Sequence, residues 1–193
     1  EVLMASELVR AEPIYIGMTA EGKIGRCDPE KINEKGFEIP PWILKADTQQ
    51  TVYVVSETGK AFGIYAETLP KVESFAGGFD ANLISGWTRD DKAAAVFTLS
   101  AKERSLETCS IITFSEKGMV KKSLAEELPP ASSQSFTMCK INSGDRLITV
   151  KVCRDDAKEI LIATQNGMAI RFDQSDLRPM GLIAAGVNGI KLK

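Results

Sequence analysis

Four stretches of this chain repeat one pattern: a short apolar run, a hydroxyl residue, a two-residue turn and a glycine. They read IYIGMTAEGKIGR from Ile14, VYVVSETGKAFGI from Val52, SIITFSEKGMVKK from Ser110 and ILIATQNGMAIRF from Ile160. The turn glycines are Gly22, Gly59, Gly118 and Gly167, spaced by 37, 59 and 49 residues. A type I turn followed by one left-handed residue closes a hairpin, and glycine takes that left-handed position without a side-chain clash. Thr19, Ser56, Ser115 and Thr164 each stand three residues earlier, where a hydroxyl can bond into the turn. Matching flanks at unequal intervals predict a repeated strand–turn–strand unit with variable connections.

The strand before each glycine is apolar on both faces, which places it inside a stack of sheets rather than on a wet surface. In the strand after it, Ile24, Ala61, Val120 and Ala169 are followed two residues later, on the same face, by Arg26, Gly63, Lys122 and Arg171. Three of these four positions are basic. Two explanations stand open: protection of a sheet edge by charge, or contact with an anionic partner. Helix signals are few. EVLMASELV suits one short turn, and SLAEELPPASSQS begins with helix formers but breaks at Pro129-Pro130, so it reads as a surface loop. RDDK at 89–92 and CRDDAKE at 153–159 read as solvated acidic turn tips rather than a metal site built on Asp90-Asp91 or Asp155-Asp156. The expected fold class is all-β and propeller-like, with about four small antiparallel sheets side by side.

Composition narrows the function. With 193 residues, 44% of them hydrophobic, the chain suits one domain over 1–193. Lys+Arg number 24 and Asp+Glu 26, so any basic footprint must be local. There is no histidine, which removes the commonest general base and every Ser-His-Asp or Cys-His arrangement, so an enzyme is not expected. Cys27, Cys109, Cys139 and Cys153 form no C-x-x-C pair and read as free thiols of a reducing cytoplasm, with no metal or other cofactor. No apolar run approaches the roughly 20 residues of a membrane span, and EVLMASELVR lacks the features of a signal peptide.

FSEKGMVKKS, the recurring T-x-x-G-x-x-x-R turn and above all ILIATQNGMAIRFDQSDLRPMG resemble the C-terminal β-pinwheel domain of the A subunits of DNA gyrase and topoisomerase IV. GKAFGIYAETLP, DANLISGWTRDDKAAAVFTLS and MCKINSGDRLITVKVC are similar to further segments of that domain, so the resemblance runs from about Ile14 to Leu192. It implies an incomplete array of blades from a longer chain. It also implies a bacterial accessory domain that holds or wraps duplex DNA on a basic outer rim while topology is changed elsewhere. The catalytic tyrosine region has no counterpart here. The implied partners are double-stranded DNA, the N-terminal breakage-reunion region of the topoisomerase and its ATPase B chain, and the implied location is the cytoplasm, at the nucleoid. Carried over by position, the DNA-contacting candidates are Arg26, Lys121, Lys122, Arg171, Arg178 and Lys191, with Lys23, Lys60 and Lys117 at the turns.

Two departures stand out. After RPMG, where gyrase-like sequences are rich in arginine, this chain has Leu182, Ala185 and Asn188, while Gly181, Gly186 and Gly189 remain. The glycine- and arginine-rich box of gyrases is replaced by DPEKINEKGFEIPPW. FAGGF at 75–79 has glycines without a basic residue and is read as part of the following unit. These departures point to weak rather than gyrase-type wrapping. They also keep open a second reading, a pinwheel that has lost its basic edge and docks a protein.

Overall fold

The computed structural model describes residues 9–34, 36–83, 87–88, 91–154 and 159–192. The possible N-terminal turn at 1–8, Asp90 and Asp155-Asp156 lie outside them. Each predicted hairpin forms: β1 (Pro13–Met18) with β2 (Lys23–Cys27), β4 (Thr51–Ser56) with β5 (Lys60–Tyr65), β8 (Ser110–Ser115) with β9 (Met119–Leu124), and β12 (Glu159–Ala163) with β13 (Ala169–Asp173). All four turns are built alike. The backbone N–H of Lys23, Lys60, Met119 and Met168 donates to the hydroxyl of Thr19, Ser56, Ser115 and Thr164 at 3.1–3.2 Å. The four glycines have φ between +78° and +87°, the left-handed region the turn requires.

Three hairpins grow into four-stranded antiparallel sheets. The first is β3 (Trp42–Asp47)-β1-β2-β6 (Phe79–Asp80), the second β10 (Ser132–Thr137)-β5-β4-β7 (Ala93–Leu99), and the third β11 (Leu147–Cys153)-β8-β9-β14 (Val187–Asn188). β12 and β13 form a two-stranded sheet. The order within each sheet reveals an exchange. The third strand follows its own hairpin, but the fourth returns from beyond the next one: β6 follows β5 yet pairs with β2, β10 follows β9 yet pairs with β5, and β14 follows β13 yet pairs with β9.

The exchange corrects two expectations. FAGGF, though it follows the second hairpin in sequence, leads into β6 of the first blade. Gly78 permits that approach, since a Cβ there would run into the Ile24 carbonyl. SLAEELPPASSQS is not a loop: Ala125–Glu127 is a one-turn 3₁₀ helix with Ala125 and Leu128 buried, and β10 follows.

The core follows the same logic. It is a succession of seams between consecutive blades rather than one central mass. Ile16, Val52, Val54, Phe62 and Val96 fill the first seam, Tyr53, Phe97, Ile111, Leu128 and Leu147 the second, and Ile112, Val120, Ile160 and Leu177 the third. Tyr53 stacks on Phe97 with centroids 5.2 Å apart. All four cysteines are buried as free thiols. Among the described residues no helix is long and apolar enough to cross a membrane.

Candidate nucleic-acid interface

The repeated basic position lies four residues beyond each turn glycine, about 13 Å along the strand from the hairpin tip at ~3.3 Å per residue. Its side chain meets the one-turn 3₁₀ helix that follows the next hairpin. In the first blade Arg26 donates from Nε to the Leu69 carbonyl at 2.9 Å and from Nη2 to the Glu67 carbonyl at 3.2 Å. Its Nη1 pairs with the Glu67 carboxylate at 3.2 Å. The backbone joins in, with Arg26 N–H donating to the Pro70 carbonyl and Val72 N–H to the Arg26 carbonyl, both at 2.9 Å. The guanidinium therefore caps carbonyls of the second blade's turn. Arg26 is a brace between blades, with little of its donor set left for a ligand.

The third blade repeats the arrangement more loosely. Met180 N–H donates to the Lys122 carbonyl at 2.8 Å, and Lys122 Nζ lies 3.5 Å from the Gln174 carbonyl, at the outer limit of a hydrogen bond. In the second blade the position is Gly63, where Tyr53 on the paired strand fills the space of the missing side chain. The Tyr53 hydroxyl donates to the Pro129 carbonyl at 2.8 Å, performing the task that Arg26 performs one blade earlier. The fourth hairpin has no described blade beyond it, and Arg171 instead pairs with Glu159 across its own sheet.

The remaining candidates divide. Lys121 is not on any rim. It is 1% exposed, and its ammonium donates to the carbonyls of Met138 and Leu182 at 2.6 Å, with Gly181 at 3.4 Å. Burial pushes its pKa down. Adjacent strand residues face opposite ways, so Lys121 and Lys122 could not both have lined one surface. Arg178 is exposed beside Pro179, which bridges to Lys122, and so shares the end of the blades that carries Lys122. Lys191 is exposed at the other end: the preceding Gly189 and Ile190 donate to the carbonyl of tip residue Gly118. Of the turn lysines, Lys23 pairs with Asp80 at 3.1 Å and Lys60 with Asp91 at 2.9 Å, while Lys117 is exposed.

Between the third and fourth blades a groove of about 350 Å³ is lined by Lys122 and Arg154, but also by Glu107 and Asp173. Its charges cancel, so it is no preformed phosphate seat. The apolar GLIAAGV run forms the return to the third blade. Leu182 packs on the second seam, and a Cβ at Gly186 would strike the Val120 carbonyl.

Sequence reading missed Asp91, which is buried rather than a solvated turn tip. It is 1% exposed and accepts hydrogen bonds from the Thr58 hydroxyl, Thr88 N–H at 2.6 Å and the Thr88 hydroxyl at 3.0 Å, besides Lys60. Burial opposes ionisation, yet these donors together hold its pKa down at about 2. Asp145 repeats the device in the third blade, accepting from the Ser115 hydroxyl at 2.6 Å and from the N–H groups of Lys117 and Arg146. The signal was present: each aspartate stands two residues before the third strand of its sheet.

Comparison with known proteins agrees with this architecture. A family model described as the DNA gyrase C-terminal domain, beta-propeller, matches residues 110–154 and 158–193. The chain is similar to the DNA gyrase A protein of Helicobacter pylori, with 29% identity over 200 residues covering 96% of the chain and 24% of the relative. It is also similar to that of Chlamydia trachomatis, at 28% over 161 residues, covering 83% and 19% respectively. The chain therefore spans about a quarter or less of these curated relatives. Among solved structures, the C-terminal domain of DNA topoisomerase IV superposes with a TM-score of 0.76 at 21% identity, covering 96% of this chain and 59% of that one. The DNA gyrase A C-terminal domain gives 0.71 at 15%, covering 94% and 61%.

Proposed function

We propose that this chain is a C-terminal β-pinwheel domain of the kind found in the A subunits of DNA gyrase and topoisomerase IV, and that it binds duplex DNA without reading its sequence. In this reading residues 1–193 form one accessory, non-catalytic domain of an ATP-dependent type IIA topoisomerase that works in the cytoplasm, at the nucleoid. Its partners are the N-terminal breakage-reunion region of the topoisomerase and the ATPase B chain. The duplex is held by its phosphates, with Lys122, Arg171 and Arg178 contributing from one end of the blades and Lys191 from the other. Arg26 and Lys121 are left out, because their donors already serve protein carbonyls.

The observation that carries the reading is that Arg171 repeats on the fourth hairpin the strand position Lys122 holds on the third, with exposed Arg178 next to the Pro179 that bridges to Lys122, in a fold whose relatives are gyrase A proteins. The proposed contacts are few, and Arg171 is shared with Glu159. Binding should therefore be weak, with a modest salt dependence. Titrating a duplex of about 60 base pairs with salt should give a log–log slope of about −3 to −4, near 0.9 for each of the four contacts. A second reading, a protein-docking module, is favoured by one observation: acids outnumber bases 26 to 24, and Leu182, Ala185 and Asn188 stand where gyrase-like sequences are rich in arginine. Absence of DNA binding at about 20 mM salt would reject the first reading and leave the second.

A further inference from the structure

The strand exchange decides which edges of the blades face solvent. The third strands β3, β7 and β11 lie against one another, so the opposite, outer edge of each complete blade is its fourth strand. Two of these are short, β6 and β14 having two residues each, and so offer too few backbone groups to template another strand. β10 has six, Ser132–Thr137, about 20 Å at ~3.3 Å per residue. One side of it pairs with β5, and no strand lies along the other among the described residues. The rim of the second blade therefore presents a row of backbone N–H and C=O groups open to a further strand.

Sheet edges are ordinarily guarded by lysine, proline, shortness or a bulge. The sequence of β10, SSQSFT, carries no charge and no proline, and Ser132, Gln134 and Thr137 are exposed. Its guards are an irregular register with β5 between Ser132 and Phe136, and a local bond from Gln134 N–H to the Ser132 hydroxyl at 3.2 Å. The charges stand on either side of it. Glu126 and Glu127 precede the strand, in the 3₁₀ turn, and Lys140 follows it. All three are exposed, and none makes an ion pair among the described residues.

We propose that β10 pairs antiparallel with β10 of a second copy of this chain, joining two second blades into one continuous sheet. A two-fold interface sets the same strand against itself in reverse order. With the axis between Gln134 and Ser135, Ser132 lies opposite Thr137 and Gln134 opposite Ser135, so hydroxyl and amide groups meet and no like charges are opposed. The reversal also carries Glu126 and Glu127 of one copy toward Lys140 of the other, whereas a parallel pairing would set acid against acid and Lys140 against Lys140. The charge pattern thus selects the antiparallel sense. One strand a side makes a small interface, so the dimer is weak, with a Kd on the order of 100 µM. The pairing needs no DNA and is independent of the reading above.

Sedimentation equilibrium of the full chain, from about 10 µM to about 500 µM, tests it. The wild type should pass from monomer toward dimer over that range. S132K/Q134K puts charge on the exposed edge without touching the core, and should stay monomeric while melting at the wild-type temperature. K140E should weaken the dimer by about threefold or more, and E126K/E127K/K140E, which exchanges the two signs, should restore it. A fold that had merely been damaged would not recover. The proposal is overturned if the wild type remains a monomer at the highest concentration, or if S132K/Q134K associates as tightly as the wild type.

Discussion

Asp91→Asn tests whether a buried carboxylate locks the second blade's hairpin to its third strand. The wild-type group accepts from Thr58, Lys60 and both the N–H and hydroxyl of Thr88, and its pKa of about 2 stands against an ordinary 3.8. The difference converts to about 2 kcal/mol at 1.36 kcal/mol per unit. Asparagine keeps one acceptor but turns an amide toward donors, adding to the loss, so about 2–3 kcal/mol is expected at pH 7. At ~2–4 °C per kcal/mol for a chain of this size, the melting temperature should fall by roughly 5–10 °C.

The sign of the pH dependence makes the test sharp. The folded-state pKa is depressed, so the contribution is complete above the unfolded value near 3.8 and is lost as pH falls toward 2. At pH 3 about half is gone, and the gap between wild type and Asp91→Asn should narrow by about 1 kcal/mol relative to pH 7. Asp145 is present in both proteins and cancels in the difference. Urea unfolding at the two pH values measures the gap. A gap that is equal at both, or below about 0.5 kcal/mol at pH 7, would refute the claim that carboxylate charge does the locking.

Two other substitutions probe the braces. Arg26→Leu removes bonds to two carbonyls and one carboxylate and should cost about 1–3 kcal/mol, with faster hydrogen exchange at Val72, while changing DNA affinity less than twofold. Lys121→Met matches the buried stem but orphans the carbonyls of Met138 and Leu182, and should cost about 2–3 kcal/mol in a urea melt; an unchanged midpoint would mean that those carbonyls find other donors.

The repeat, the turn type and the strand assignments were legible because each is local: a hydroxyl, a turn and a left-handed glycine lie within four residues. The strand exchange was not. Nothing in FAGGF states that its partner is Ile24 rather than a strand of the second blade, since pairing across more than fifty residues leaves no periodic trace. Asp91 was misread for a related reason. An aspartate flanked by Asp90 and Lys92 looks solvated until the hairpin that buries it is in place. Lys121 could have been rejected from the rim by strand alternation alone, because the apolar Val120 and the basic Lys122 already share the other face.

The basic residue recurring after each turn illustrates a general hazard in repeat proteins. Periodicity shows that a position meets the same surroundings in every repeat, and in a stacked array the most regular surroundings are those of the neighbouring repeat. Arg26 and Lys122 both lie against the turn of the next blade, and Tyr53 reaches the same kind of carbonyl where Gly63 breaks the pattern. The tyrosine is informative, for a hydroxyl carries no charge for DNA yet satisfies a carbonyl as well as a guanidinium does. Bracing explains all three blades, whereas phosphate contact explains only the basic ones.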